Sequence, residues 1–204
     1  MPSKTWPGPE NLCDGLRMDH GYCFRMEQTA DKSALIVPVP ETEDLVGRWR
    51  AVLDPGCIRG IPAHITILFP FANPTDFDDT LITTLTGYFS SIDPFDVEFS
   101  ALAWFENRVV YLEPSPDTEF RNMTRALGML FPQYLPYGGK FDEPTPHLTV
   151  GDGAPFDRLQ EAATDIAQYL PLTARVERAW LMAGGMDPNS WTLRHEFALG
   201  RQSS

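Results

Sequence analysis

Apolar residues are grouped along this chain in two ways. In some stretches they run together or alternate with polar residues, which is typical of strands, and in others they recur every three or four positions, which is typical of amphipathic helices. The strands predicted in this way span 34–40, 63–69, 95–104, 108–113, 146–150, 173–183 and 190–199. With helices between them, this order predicts an α+β fold.

Four amphipathic helices are predicted, each with one apolar stripe facing the core. Asp54-Pro55-Gly56 is expected to stop the first helix, and a capping box from Thr75 to Asp78 to open the second. Ser115 and Pro116 are expected as N-cap and first-turn proline of the third. The stripes, helix by helix, are Leu45, Val46, Trp49, Val52 and Leu53; Phe77, Leu81, Leu85, Tyr88 and Phe89; Phe120, Met123, Leu127, Leu130 and Phe131; and Phe156, Leu159, Ala163, Ile166 and Leu170.

Length and composition predict one ordinary globular domain. Of the 204 residues, 43% are hydrophobic and 22% are charged, as in soluble proteins. Residues 1–33 show no regular period, so we expect an N-terminal extension or arm, then one domain over 34–200 and a tail over 201–204. No stretch has the apolar core of a signal peptide or the roughly 18–20 apolar residues of a membrane span, so we expect a cytoplasmic protein without a membrane partner. We also expect a monomer.

The charge balance limits the partners. The chain has 16 lysines and arginines against 28 aspartates and glutamates, a net charge of −12. Such a surface repels a long polyanion unless a local basic patch counters it, whereas a small phosphorylated ligand is compatible with it.

The three cysteines, Cys13, Cys23 and Cys57, form no CxxC pair and no zinc pattern, so free thiols, no metal site and no cofactor are expected.

One short motif occurs twice. His64-Ile65-Thr66-Ile67 and His147-Leu148-Thr149-Val150 both read histidine, aliphatic, threonine, aliphatic, on strands with a proline just upstream. Ordinary residue usage produces two such matches by chance with odds on the order of 10⁻⁴. Because side chains alternate across a strand, each copy buries its aliphatic residues on one face and presents an imidazole and a hydroxyl on the other.

Two such strands lining one cleft can act on a single phosphate. One neutral imidazole can take a proton from the attacking water or hydroxyl while the other, as imidazolium, gives a proton to the leaving oxygen. The hydroxyls of Thr66 and Thr149 can donate hydrogen bonds to the non-bridging oxygens, where negative charge develops. The sequence therefore predicts phosphodiester chemistry by His64 and His147 that requires no metal.

The two tetrapeptides resemble the signature motifs of the 2H phosphoesterase superfamily, in particular its bacterial 2′-5′ RNA ligase-like branch. The resemblance covers about residues 34–200 and includes Val37-Pro38-Val39-Pro40. It implies two pseudo-symmetric lobes, each an antiparallel sheet with helices, around a central cleft. It further implies hydrolysis of 2′,3′-cyclic or related cyclic phosphates, or joining and cleavage of 2′-5′ RNA linkages, with His64 as proton donor and His147 as acceptor in hydrolysis.

Several residues outside the motifs are weaker candidates. Tyr137, with Tyr134 and Lys140 in the same loop before the second motif, is expected either to bind substrate as a lid or base-stacking platform or to pack within the loop. For the strand aromatics Trp104 and Tyr111, base stacking and core packing both stay open. The remaining candidates, for which a structural or solvated role is favoured, are His195, Arg194 and His20.

These observations favour a metal-independent cyclic phosphodiesterase that acts on a nucleotide or RNA terminus carrying a 2′,3′-cyclic phosphate. A second hypothesis is 2′-5′ RNA ligation or its reversal on longer RNA, against which the net charge of −12 argues. A third hypothesis is a nucleotide-binding module with little turnover.

Overall fold

Eight antiparallel strands form one sheet in the computed structural model, which describes residues 31–141 and 143–200. The strand order across the sheet is β6-β3-β4-β5-β2-β1-β7-β8. The strands are β1 (Lys32–Pro38), β2 (His64–Leu68), β3 (Phe95–Phe105), β4 (Val109–Ser115), β5 (Leu148–Asp152), β6 (Leu172–Val176), β7 (Arg178–Gly184) and β8 (Thr192–Ala198). The predicted α+β fold with an antiparallel sheet is confirmed.

Five helices accompany the sheet in the described part of the chain. They are α1 (Glu43–Leu53), the single turn α2 (Pro55–Ile58), α3 (Asp79–Ser90), α4 (Thr118–Leu130) and α5 (Phe156–Ala167). Short 3-10 turns occupy Pro40–Thr42, Pro74–Asp76 and Pro136–Gly139. The longer helices bury one stripe each in a common core with the sheet, through residues that include Val46, Leu53, Leu85, Phe89, Phe120, Met123, Leu127, Leu159, Ala162 and Ile166. None of the helices described is long and apolar enough to cross a membrane.

The chain passes twice through the order strand, helix, strand, helix, strand, first from β1 to β3 and then from β4 to β6. β1 and β2 lie in one half of the sheet, and the chain then crosses over to β3, which pairs with β4. β4, β5 and β6 all lie in that second half, and the chain crosses back at β7, which pairs with β1. The halves β2-β1-β7-β8 and β5-β4-β3-β6 meet where Ile65 pairs with Leu148. The two expected lobes are therefore the halves of one continuous sheet.

One predicted strand is wrong. The stretch 173–183 reads as continuous, but β6 ends at Val176 and β7 begins at Arg178. The two strands lie in opposite halves of the sheet, because β6 pairs with β3 and β7 pairs with β1. β3 and β1 are separated by β4, β5 and β2, so no straight strand can pair with both.

Two predicted helix starts are also wrong. Asp78 itself is the N-cap of α3, because its carboxylate accepts a hydrogen bond from the Leu81 amide at 2.7 Å, whereas Thr75 lies in a preceding 3-10 turn. Ser115 remains paired with Glu98 in β4, so α4 begins later, at Thr118. In both cases the residue predicted to start the helix belongs to another element, the 3-10 turn for Thr75 and the strand β4 for Ser115, so the helix begins after that element ends.

Some residues predicted for the apolar stripes face solvent. Val52 is 61% exposed, Leu130 47% and Phe156 41%, because each lies at the margin of its stripe. Arg50, a charged residue of α1, is instead only 1% exposed. At the N-terminus, Lys32 and Ser33 belong to β1 and not to the predicted arm. Residues 1–30 of that arm and the tail 201–204 lie outside the described residues.

The contact between the two halves of the sheet yields a stability prediction. We expect Leu148→Ala to lower the free energy of unfolding by about 2–5 kcal/mol, because Leu148 is fully buried where the halves meet. The matched control is Leu193→Ala, on a strand but 46% exposed, for which a change below about 1 kcal/mol is expected. Urea unfolding of both variants makes the comparison, and equal effects would contradict the assigned core.

Candidate active site

The two predicted histidines lie at the centre of the sheet. His64 is the first residue of β2, and His147 immediately precedes β5, the neighbouring strand. Continuing the antiparallel Ile65–Leu148 register by one residue places His64 opposite Thr149 and His147 opposite Thr66. All four side chains are half-buried, whereas Ile65 and Leu148 are fully buried on the other face. The structure thus brings the two motifs together as two histidine–threonine pairs.

The imidazoles are held in the same way. His64 Nδ1 lies 2.7 Å from the Pro62 carbonyl oxygen, and His147 Nδ1 lies 2.8 Å from the Thr145 carbonyl oxygen. Because a carbonyl can only accept, this network assigns the proton of each neutral ring to Nδ1. Nε2 is then the nitrogen of each ring that can exchange a proton with a ligand.

Both imidazoles favour the neutral form. Burial is the main reason that the pKa of His64 falls from 6.5 to about 4, and the positive charges of Arg50 and His147 lower it further. Burial also lowers the pKa of His147, whereas the nearby Asp152 carboxylate raises it. The His147 charge acts on His64, which agrees with their position on adjacent strands. The two rings therefore have different electrostatic surroundings.

Tyr137 reaches the first motif from the loop before the second. Its amide donates to the Phe69 carbonyl at 2.6 Å, and its hydroxyl shares a hydrogen bond with Thr66. Burial raises the pKa of the phenol, which keeps it protonated. The backbone of Tyr137 has a φ of 50°, in the left-handed region that residues other than glycine rarely adopt. The loop therefore holds this hydroxyl beside Thr66 in a strained conformation.

Aromatic rings border the second motif. Phe105 and Tyr111 approach the His147 ring edge-on, at centroid distances of 5.0 and 5.4 Å. Tyr111 also pairs with Thr149 across β4 and β5 and is 5% exposed, so it packs against the site as part of its wall. Phe105 was not among the residues predicted for the site. It directly follows Trp104 on β3, so its side chain lies on the opposite face of the sheet from that of Trp104.

The other sequence candidates lie elsewhere. Trp104 packs on Phe156 at 5.4 Å, and Tyr134 packs on Phe71 at 5.1 Å. The Lys140 ammonium lies 5.4 Å from the centre of the Phe141 ring. His195 stacks beside Phe197 on β8, three strands from β2, where Arg194 is exposed, and His20 lies outside the described residues.

A buried ionic cluster behind His64 was not predicted. Arg50 Nε and Nη2 donate to Asp54 Oδ2 at 3.0 and 2.8 Å, and Nη2 also donates to the Ile61 carbonyl at 3.1 Å. Glu43 lies 3.6 Å from Arg50 Nη1 and accepts a hydrogen bond from the Ala63 amide. The sequence shows this cluster only as an arginine followed four residues later by an aspartate. That spacing is common for ion pairs on exposed helix surfaces, so it does not indicate a buried pair.

Metal ligands are not grouped in the described part of the chain. No set of three histidine, cysteine, aspartate or glutamate side chains is close enough there to hold a metal ion. The chemistry available from the residues present is proton transfer by two imidazoles and hydrogen bonding by hydroxyls.

A comparison with known protein families gives a match over most of the chain. The family model for the 2′-5′ RNA ligase superfamily matches residues 38–187, a span that contains both histidine motifs. No curated protein matches the chain.

Solved structures share the fold at low sequence identity. Escherichia coli LigT with NADP+ is 17% identical, with a TM-score of 0.55, and the match covers 84% of this chain and 98% of LigT. LigT with ATP is 18% identical, with a TM-score of 0.51 and coverage of 84% and 99%. The protein TT0787 of Thermus thermophilus is 18% identical, with a TM-score of 0.56 and coverage of 84% and 100%.

The buried neutral state of His64 predicts acid sensitivity. Because the folded-state pKa of about 4 lies below the ordinary 6.5, the unfolded chain binds more protons between these values, and stability falls as the pH falls through this window. The contribution lost by pH 4 is at most about 3 kcal/mol.

We therefore expect His64→Gln to lose less stability than the wild type between pH 7 and pH 4. Urea unfolding across this range measures the difference, and the control is His195→Gln. Parallel stability curves for wild type and His64→Gln would contradict the assigned pKa.

Proposed function

The chain belongs to the 2′-5′ RNA ligase superfamily, and from this premise we propose that it is a metal-independent phosphodiesterase that hydrolyses 2′,3′-cyclic phosphates on nucleotides or RNA termini. The observation that carries the proposal is the meeting of two histidine–threonine motifs on adjacent strands, with both Nδ1 atoms bonded to carbonyls and both Nε2 atoms left for proton exchange.

The reaction needs two proton transfers, which two imidazoles can perform. A water oxygen attacks phosphorus while one neutral Nε2 takes its proton, and the bond from phosphorus to one ribose oxygen breaks. The other histidine, as imidazolium, gives its Nε2 proton to that leaving oxygen. The product is a ribose 2′- or 3′-phosphomonoester, and a second proton exchange with water resets both rings.

The hydroxyls around the rings have a separate role. Thr66 and Thr149 lie opposite the histidines, where their hydroxyls can donate to the non-bridging phosphate oxygens as negative charge develops. The Tyr137 hydroxyl, bonded to Thr66, orients that threonine and extends the row of donors. We assign substrate binding to these three residues.

A nucleotide-sized substrate is favoured over a long RNA. The net charge of −12 opposes a long polyanion, whereas a phosphate held between two imidazoles is bound by local groups. LigT, which has a similar fold, has been solved with NADP+ and with ATP, so a nucleotide is a reasonable first substrate to test.

Substitution of either histidine tests the mechanism. We expect His64→Ala and His147→Ala each to lower turnover of nucleoside 2′,3′-cyclic monophosphates by about 10²–10⁴-fold, because each removes one proton transfer. The assay uses EDTA-treated protein and all four nucleosides, with products separated by chromatography. The matched control is His195→Ala, a half-buried histidine three strands away, which should keep wild-type activity.

The outcomes separate the competing functions. Turnover at the wild-type rate in either variant would overturn the two-histidine mechanism, and turnover abolished by EDTA and restored by a metal would overturn metal independence. Ligation or cleavage of 2′-5′-linked oligonucleotides in the absence of cyclic phosphate hydrolysis would favour the RNA ligase hypothesis. Nucleotide binding without turnover of either substrate would favour a binding module.

Loss of a threonine hydroxyl should have a milder effect. We expect Thr66→Ala and Thr149→Ala each to reduce kcat/KM by an amount equivalent to about 1–3 kcal/mol, because each removes one donor to a charged oxygen. Steady-state kinetics on the preferred cyclic nucleotide measure the loss, with Thr192→Ala on the exposed face of β8 as control. An unchanged kcat/KM in both variants would contradict the donor role.

A further inference from the structure

We propose that the cavity between α4 and the loop that leads from it to β5 is a binding site for a phosphate group. In this site Arg121 and Arg125 bind the phosphate oxygens in exchange for the carboxylate of Glu143. The ligand is inorganic phosphate or a small phosphomonoester. The site is separate from the two histidine–threonine pairs, and the inference does not depend on the proposed function.

The first argument is the size and lining of the cavity. Its volume is about 220 Å³, below the roughly 300–1,000 Å³ of pockets for drug-sized molecules, so it suits a smaller group. The lining includes Arg121, Thr124, Arg125 and Gly128 from α4 and Glu143 from the loop. Arg125 and Glu143 are 58% and 64% exposed, so a ligand can enter from solvent.

The second argument is the arrangement of the two arginines. They are one helical turn apart on α4, so their side chains lie on the same face. Arg121 Nε donates to Asp117 Oδ2 at 2.7 Å, which fixes that guanidinium, and both guanidiniums approach the Glu143 carboxylate. The planar fork of a guanidinium matches the oxygens of a phosphate as well as those of a carboxylate. Two forks directed at one anion form a preorganised anion site.

The third argument is that Glu143 fills this site incompletely. Its Oε1 accepts a hydrogen bond from Arg125 Nη2 at 3.0 Å, but its Oε2 lies 3.9 Å from Arg121 Nη1, beyond hydrogen-bond distance. Exposed ion pairs of this kind contribute little to stability. A phosphate group carries a charge of about −1.5 to −2 and three acceptor oxygens, more than a carboxylate offers. Exchange therefore improves the contacts to both arginines.

The fourth argument is the glycine beside the arginines. Gly128 follows Arg121 and Arg125 on the same face of α4, and a Cβ built on it would meet no atom within 4 Å. Glycine is unfavourable inside a helix. At this position the missing side chain leaves the space next to the guanidiniums open.

The cavity is distinct from the place between the histidines. Met123 and Leu127 of α4 belong to the same buried core as Ile65 of β2, so α4 packs on the face of the sheet that Ile65 occupies. His64 and Thr66 lie on the opposite face of that strand. A phosphate bound beside α4 is therefore not the phosphate that the histidines would act on.

NMR of backbone amides in the full chain tests the site and needs no activity. The ligands are inorganic phosphate and a nucleoside 3′-monophosphate, each titrated at constant ionic strength against chloride. We expect saturable shifts at the amides of Gly128 and Glu143 that chloride does not reproduce. The amides of His64 and Thr149 report separately on binding between the histidines. Absence of saturable shifts at Gly128 and Glu143 with both ligands would overturn the proposal.

The same titration distinguishes the two sources of the phosphate group. Tighter binding of the nucleotide than of inorganic phosphate, read at Gly128 and Glu143, would identify a phosphomonoester as the ligand. Equal or weaker binding of the nucleotide would identify free phosphate. Both results support a phosphate site beside α4.

Charge variants test the exchange with Glu143. We expect Arg125→Gln to weaken phosphate binding by about 10-fold or more, because it removes a charge-assisted hydrogen bond. Glu143→Gln should tighten binding by about 2–5-fold, because it removes the competing carboxylate. The matched controls are Arg158→Gln and Glu161→Gln, at an exposed ion pair on α5, which should leave binding unchanged.

A steric variant tests the cavity without changing charge. Gly128→Leu should abolish binding by filling the space beside the arginines, whereas Gly87→Leu should not. Gly87 is the matched control because it lies on α3, where an added Cβ also meets no atom within 4 Å.

Three results would overturn the proposal. They are unchanged binding in Arg125→Gln, unchanged binding in Gly128→Leu, and an equal loss in Arg125→Gln and Arg158→Gln, which would show that binding follows net charge alone. Absence of cyclic phosphate hydrolysis would count against the proposed function and would leave these binding results standing.

Discussion

The contact between β2 and β5 is the constraint on which the candidate site depends. Ile65 pairs with Leu148 there, both fully buried, and this joins the two halves of the sheet. Because side chains alternate along a strand, burying these two residues turns the flanking histidines and threonines to the opposite face. The same packing that stabilises the core therefore assembles the polar groups, and a shift of register by one residue would bury the histidines.

The arrangement around the candidate site costs stability, because charged groups next to His64 are buried. Arg50 and Asp54 occupy core positions of α1 and its C-terminal turn, where apolar residues would pack without desolvation of charge. Tyr137 adds backbone strain, and both imidazoles lie in surroundings that disfavour their protonated form. Such local costs concentrate at functional sites, where they hold groups in positions and protonation states that chemistry requires.

Much of the fold and the two motifs that meet at the candidate site could be predicted from the sequence. The spacing of apolar residues identified β1, β2 and α1, and the repeated tetrapeptide identified His64 and His147. The Tyr137 loop was recognised only as a choice between substrate binding and packing, because local sequence does not show what a loop touches. Arg50 was overlooked because an arginine in a helix is exposed in most proteins, and only its neighbours in space make it buried.

The sequence by itself determined the strand faces, because the period of two along each motif decides which side chains share a face whatever the sheet order. It also determined the charge balance and the residue types available for proton transfer. Only the tertiary structure decided that β6 and β7 separate into opposite halves, that β2 and β5 are neighbours, and that Arg50 lies behind His64 but not behind His147. These depend on contacts between residues far apart in the chain, and no local pattern encodes them.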